Sequence, residues 1–207
     1  MARTTLGLRR NLKEEQRRSD IRQASIKIFS DKGYVSSTMD DIVQEAGCSK
    51  SLIYWYWGSK ADLFNDLVDI CMTRYVEAFE EVVGSRGDYL ERLQGVAVTA
   101  AGIYEESPEL NKLVHFGAIT SSSKSKENFR ERIFGYKEQI LSQIERLLQE
   151  GVDESILIED IDVSAMALHI MSMVEGYIYL SILKERMPLE RIFDVLAKYI
   201  MPGIIRK

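Results

Sequence analysis

Apolar residues recur every three or four positions along most of the chain, and no segment alternates apolar and polar residues between turn signals. The first pattern is typical of amphipathic helices and the second of strands, so the sequence predicts an all-α fold. Only three prolines interrupt 207 residues, which leaves room for long helices. The periodicity predicts about nine helices, near 14–31, 38–46, 49–55, 59–83, 88–106, 108–120, 126–150, 162–186 and 188–200.

The front of the chain contains short helices separated by residues that begin or end helices. Lys32-Gly33 should end the first helix, because glycine adopts the left-handed conformation that stops a helix. Thr38 and Ser49 are suitable N-terminal caps for two short helices joined through Ala46-Gly47-Cys48. Two short helices after a longer one form a helix-turn-helix pattern, whose second short helix can enter a DNA major groove.

Four aromatic residues stand in a row in the second short helix, at Tyr54, Trp55, Tyr56 and Trp57. Successive residues of a helix point about 100° apart, so the four rings cannot all face the interior. We expect Trp55 and Trp57 to lie partly in the core and Tyr54 and Tyr56 to point outward. A tyrosine hydroxyl can donate to a phosphate, and its ring can pack against a sugar or a thymine methyl. Packing of all four rings inside a small domain is the alternative.

Charge is distributed unevenly along the chain. Residues 1–60 carry 11 Lys and Arg against 7 Asp and Glu, whereas residues 61–207 carry 16 against 25. A basic front on an acidic body suggests that the front binds a polyanion. Arg3, Arg9 and Arg10 precede the first predicted helix, where they form either an arm that follows DNA or a solubilising tail.

One segment resembles the DNA-binding domain of the tetracycline-repressor (TetR) family of transcription regulators. It is FSDKGYVSSTMDDIVQEAGCSKSLIYWYWGSKADLF, residues 29–64. The residues that match the family pattern at the same spacing are Phe29, Gly33, Tyr34, Ser37, Thr38, Ile42, Ala46, Gly47, Ser49, Ile53, Tyr54, Tyr56, Ser59, Lys60 and Leu63. Behind this segment, only the length and the helical pattern agree with the family.

The resemblance implies which residues of this segment bind DNA. Base contacts are expected from the start of the recognition helix, at Lys50, Ser51 and Leu52. Base or backbone contact is expected from Tyr54, and phosphate contacts from Thr38, Tyr56 and Lys60. Leu52 stands where threonine is common in the family and Val43 where alanine is common, so the operator sequence cannot be carried over.

The resemblance also implies two domains, an N-terminal arm with the helix-turn-helix domain at 1–59 and a regulatory, effector-binding and dimerisation domain at 60–207. The last two long helices would form a homodimer interface, because one helix-turn-helix makes too few contacts for tight specific binding. Gly176 would allow close approach of the two copies. The apolar residues expected there are Val163, Ala167, Ile170, Val174, Tyr177, Leu180, Ser181, Ile192, Leu196 and Ile200.

The segment from Ala165 to Leu183 is apolar and long enough to span a membrane. It contains His169 and Glu175, and a carboxylate in the middle of a span is costly in lipid. We therefore interpret it as a core or interface helix and expect no membrane association.

The middle helices of the resembling family enclose a cavity for a small molecule, and the scarcity of charge along these helix faces favours a lipophilic effector here. The alternative for each of these residues is ordinary core packing. The candidate lining residues are Tyr104, His115, Phe116, Ile119, Phe134, Tyr136, Ile140, His169 and Met173.

These observations predict a ligand-responsive transcription regulator, most simply a repressor of a palindromic operator. The sequence contains no Gly-rich phosphate loop, no Cys/His metal cluster and no nucleophile–base pair, so we expect no enzyme activity, no metal and no cofactor. The chain also lacks a signal-peptide pattern and has only two cysteines, which favours the cytoplasm. The alternative is an all-helical protein that binds a small molecule or a partner without sequence-specific DNA binding.

Overall fold

The computed structural model describes residues 2–120, 123–182, 198 and 201–206, with side chains placed for 11–115, 129–181, 198 and 202–206. In this part of the chain every regular element is a helix, as predicted, apart from one isolated antiparallel bridge between Leu157 and Ile205. The helices are α1 Ala2–Ser36, α2 Met39–Ala46, α3 Lys50–Tyr56, α4 Lys60–Gly84, α5 Tyr89–Glu106, α6 Pro108–Thr120, α7 Ser123–Asp153, α8 Val163–Ile182 and α9 Met201–Ile204.

Local signals place the ends of the short helices where the sequence predicts them. Thr38 caps α2 through a capping box, in which its hydroxyl accepts from the Asp41 N–H and the Asp41 carboxylate accepts from the Thr38 N–H. Gly47 ends α2 with φ 58°, and Ser49 caps α3. Gly33 departs from helical geometry with φ 78°, so α1 is interrupted at the predicted position. These ends depend on backbone conformations that neighbouring residues specify by themselves.

Two predicted boundaries are wrong. The first helix begins at Ala2 rather than near residue 14, so the backbone that carries Arg3, Arg9 and Arg10 is helical and not an extended arm. The polar segment 121–128 was expected to be a loop, but α7 begins at Ser123. Its two lysines and its glutamate are good helix formers, so a polar composition does not exclude a helix. The predicted last helix at 188–200, with Ile192, Leu196 and Ile200, lies outside the described residues apart from residue 198.

The chain divides into two units, the first formed by residues 1–71 and 109–130. Its core joins α1, α2, α3 and the start of α4 through fully buried side chains. Three aromatic rings pack together there. The ring centre of Phe64 lies 5.4 Å from that of Phe29 and 4.7 Å from that of Tyr34. The buried apolar side chains that α1, α2 and α3 contribute to this core include Ile21, Ala24, Ile28, Phe29, Ile42 and Ile53.

The second unit comprises residues 72–108 and 131–207. Tyr89 at the start of α5 donates a hydrogen bond to the Leu147 carbonyl of α7, and Gly151 of α7 packs against the same ring. Arg92 pairs with Glu150, which joins the same two helices. The core consists mainly of leucine, isoleucine, valine and aromatic side chains. The predicted domain boundary between residues 59 and 60 remains a proposal about which part can fold alone.

Helix α8 keeps much of its apolar surface outside this core. Only 11% of its segment Val163–Ser181 is buried, although by length and composition the helix could span a membrane. Leu168 and Tyr179 are each 51% exposed and form what we call the outer face of α8. The orientation predicted from periodicity is wrong for Ala167, which is fully buried within the chain. Periodicity identifies an apolar stripe, but on a helix that is apolar nearly all round it cannot identify which stripe faces out.

Candidate nucleic-acid interface

The N-terminus of α2 presents Thr38 to solvent in a fixed geometry. Its hydroxyl donates to Asp41 Oδ2 at 2.8 Å and accepts from the Asp41 N–H at 3.1 Å. Hydrogen bonds from Lys32 and Thr38 stabilise the charged carboxylate and lower the pKa of Asp41 to about 2. A charged, hydrogen-bonded cap fixes the first turn of α2 at neutral pH. Thr38 is therefore exposed and held in place, as a phosphate contact requires.

Helix α3 is short, and two buried residues fix its orientation. Ile53 is fully buried, and Trp57, which follows the helix, is 6% exposed. At the N-terminal end of the helix Lys50 and Ser51 are exposed, and Leu52 is half-buried. This is the arrangement of a recognition helix, which packs through one face and offers its first turn to the base edges of a major groove.

Lys50 already has a partner on α2. Its ammonium lies 2.7 Å from Asp40 Oδ1, and this carboxylate raises the pKa of Lys50. Both side chains are exposed, so the pair contributes little to stability. Asp40 was not among the predicted site residues, and its separation of ten residues from Lys50 gives no helical signal.

The row of aromatic residues divides differently from the prediction. Trp57 is buried as expected, but Trp55 is 68% exposed, more than Tyr54 at 43%. The expectation that Trp55 lies partly in the core is therefore wrong. Tyr56 is half-buried because the Arg18 guanidinium lies 4.9 Å from its ring centre and the Trp55 ring packs against its edge. Arg18 was not predicted either, since it lies on α1, far from Tyr56 in sequence.

Lys60 occupies a different environment from the one expected of a phosphate contact. Its ammonium donates to the carbonyl oxygens of Tyr34 and Ser37, each at 2.6 Å, and approaches the Val35 carbonyl at 3.5 Å. It also lies 4.6 Å from the centre of the Tyr34 ring. Partial burial lowers the pKa of Lys60. An ammonium has three N–H donors, so these contacts direct it to the turn between α1 and α2 rather than to solvent.

The structure thus brings Thr38, Lys50, Ser51 and Leu52 together with Tyr54 on one unit, whereas Lys60 lies behind them against backbone.

The predicted effector-binding residues do not share one environment. Tyr104 and Ile140 are buried in the second unit, and Tyr136 is half-buried with its hydroxyl accepting from Thr73. Met173 is half-buried, Phe134 is 62% exposed, and His169 is exposed with its ring Nδ1 against the Ala165 carbonyl. His115 is half-buried in the first unit. The side chains of Phe116 and Ile119 lie outside the described ones.

Comparison with known proteins supports the interpretation of the first unit. The family model of bacterial regulatory proteins of the tetR family matches residues 21–67, which include α2, α3 and the contacts of Lys60. The nucleoid occlusion factor SlmA of Vibrio vulnificus is 24% identical over 165 residues, covering 79% of this chain and 83% of that protein.

Two solved structures share the fold of nearly the whole chain. The regulator FadR of Bacillus subtilis, solved in complex with stearoyl-CoA, superposes with a TM-score of 0.74 at 19% identity, covering 88% of this chain and 98% of that one. The ketosteroid transcriptional regulator KstR2 of Mycobacterium tuberculosis superposes with a TM-score of 0.70 at 18% identity, covering 92% and 96%. With its exposed recognition helix and the family match at 21–67, this part of the chain is a helix-turn-helix domain of the kind found in bacterial regulatory proteins of the tetR family.

Proposed function

We propose that the chain represses transcription in the cytoplasm by binding a palindromic operator as a homodimer, and that a lipophilic small molecule releases it. The observation that carries this proposal is the geometry of α3. Ile53 and Trp57 anchor the helix, while Lys50, Ser51 and Tyr54 face solvent. A protein that only sequesters a ligand has no need of such a helix.

In the proposed complex the first turn of α3 reads the bases. Lys50 can donate to guanine acceptors, Ser51 to either base of a pair, and Leu52 can contact a thymine methyl. Tyr56 at the C-terminal end of α3 would donate to a phosphate, and so would Thr38 at the N-terminus of α2 once its hydroxyl turns away from Asp41 Oδ2. Tyr54 would contact a base or the backbone. Asp40 must release Lys50 for this contact, at little cost because the ion pair is exposed.

The dimer would form through the outer face of α8. Leu168 and Tyr179 lie eleven residues apart, three helical turns, on a face whose intervening positions include the small residues Ser172 and Gly176. Small residues allow two helices to approach closely, and exposed apolar area of this kind marks an interaction site. A second copy provides the matching surface, because a two-fold interface pairs the same patch on both chains.

An effector of the acyl or sterol class fits the same proposal. FadR of Bacillus subtilis was solved with stearoyl-CoA, and KstR2 is a ketosteroid regulator. The candidate lining residues of this chain are mostly apolar and aromatic, as lipophilic ligands require. Such a ligand weakens DNA binding only if it binds the DNA-free state more tightly than the DNA-bound state. We further propose that the chain catalyses no reaction.

Selection from a random oligonucleotide pool at modest ionic strength tests the proposal. The wild-type protein should enrich a palindrome, and Lys50→Glu should lose this enrichment while keeping its thermal stability. Leu168→Glu should convert dimers to monomers in sedimentation velocity and weaken binding to the palindrome more than to a single half-site. A protein that enriches no sequence, or a Lys50→Glu variant that enriches the same sequence equally well, contradicts the proposal and favours a sequestering protein.

A further inference from the structure

A cleft of about 450 Å³ lies in the first unit, between α1 and the turn that joins α2 to α3. One wall is a single face of α1, with Lys13, Arg17 and Asp20 at helical spacing. The other wall is the turn and the first turn of the recognition helix, with Cys48 and Leu52, and buried Ile21 also lines the cleft. None of the predicted DNA contacts except Leu52 belongs to it.

The cleft carries a net positive charge. Lys13 and Arg17 are exposed to solvent, and among the described side chains neither forms an ion pair with an acid. Asp20 accepts a hydrogen bond from Gln16 Nε2 at 2.9 Å, so part of its hydrogen-bonding capacity is used. Cys48 stays neutral, since burial raises the pKa of its thiol. Two cations against one carboxylate favour an anion, and the charged walls disfavour an apolar ligand.

Position then selects the anion. Leu52 is in the first turn of α3, and the N-terminal residues of a recognition helix approach the base edges. The major groove that accepts this helix is bounded by two phosphate backbones about 12 Å apart. A cleft that opens beside the first turn of the helix therefore meets one of these backbones.

We propose that this cleft receives the phosphodiester backbone beside the half-site, with Lys13 and Arg17 as phosphate contacts. The negative charge of Asp20 would repel the phosphates and weaken this binding. This inference rests on the proposed DNA binding and adds α1 to the interface.

The test uses the palindrome enriched by the wild-type protein, with ~10 base pairs of flanking duplex on each side, one helical turn. Operator affinity is measured between 50 and 200 mM salt for Lys13→Gln, Arg17→Gln and Asp20→Asn. Each phosphate contact contributes about 0.9 to the slope of log affinity against log salt. Because the homodimer carries each residue twice, one substitution removes two contacts and should make the loss of affinity across this range about twelvefold smaller. Lys27→Gln is the matched control, because it removes the same charge from the same helix about 15 Å from Arg17.

Asp20→Asn provides the sharpest result, because it should tighten binding by about twofold or more, and a gain cannot come from misfolding. Inorganic phosphate is titrated in parallel by chemical-shift changes at Cys48 and Leu52. If the slopes of Lys13→Gln and Arg17→Gln equal that of Lys27→Gln, the proposal is overturned even though DNA binding stands. It is equally overturned if inorganic phosphate binds the cleft while all three variants bind the operator as the wild-type protein does.

Discussion

Replacing Lys60 by methionine separates two roles that the sequence cannot distinguish. Methionine keeps most of the apolar stem and removes the ammonium that binds the Tyr34 and Ser37 carbonyl oxygens. If Lys60 positions the turn between α1 and α2, the variant loses stability. If Lys60 binds a phosphate, the variant loses salt dependence of DNA binding. We expect the first result.

The size of the effect follows from the contacts. A hydrogen bond from a charged donor contributes about 1.5–3 kcal/mol, and Lys60 makes two short ones and a weaker third to backbone acceptors. The partly exposed site places each contribution near the lower limit, so we expect a total loss of about 2–3 kcal/mol in the free energy of unfolding. For a protein of this size that corresponds to a decrease of about 4–12 °C in the melting temperature.

Calorimetry and operator binding measured on the same preparations decide between the roles. Lys50→Met is the matched control, because its pair with Asp40 is exposed and should contribute little to stability. We expect Lys60→Met to have a lower melting temperature and an unchanged slope of log operator affinity against log salt. Lys50→Met should have an unchanged melting temperature and weaker operator binding. An unchanged melting temperature for Lys60→Met, together with a slope reduced by about 1.8 for the two copies in the dimer, would refute the positioning role.

Three further predictions concern packing, pH and fluorescence. Gly151→Ala should lower the free energy of unfolding by about 1–3 kcal/mol, because its Cβ would lie 2.3 Å from Tyr89 Oη. Gly135→Ala on the same helix has open space and should be neutral or stabilising by up to about 1 kcal/mol. Urea unfolding measures both. The lowered pKa of Asp41 stabilises the fold above the ordinary carboxyl pKa, so that stability should decline from about pH 4 towards pH 2, and Asp41→Asn should flatten this part of the stability–pH curve. In a variant that keeps Trp55 as its only tryptophan, acrylamide should quench strongly, and the enriched palindrome should protect the ring; equal quenching with and without DNA would place Trp55 outside the interface.

Helix class, the helix-turn-helix pattern and the caps could be predicted because each depends on residues close together in sequence. Thr38 forms its capping box with Asp41 three residues later, and Gly47 needs only its own freedom to adopt a positive φ. The same local reasoning was wrong at Ser123–Asn128, where a loop was inferred from polar composition alone, because polar helices and polar loops have similar residues.

The candidate site was predictable in part. A row of four rings on a helix requires that some face out, but which ring does so depends on how α3 packs on α1. Both tryptophans are predicted to lie partly in the core, but only Trp57 is buried, whereas Trp55 is exposed. The effector positions depend even more on packing between distant segments, so apolar periodicity indicated a set of residues without placing them at one site.

The sequence by itself determined an all-helical chain with a DNA-binding front, because helical period, caps and motif spacing are encoded within a few residues of one another. Only the tertiary structure decided what the long-range partners do. Lys60 donates to carbonyls more than twenty residues earlier, Arg18 covers Tyr56, and the outer face of α8 stays exposed within the described part of the chain. These contacts join segments distant in sequence, and their geometry follows from how whole helices pack against each other.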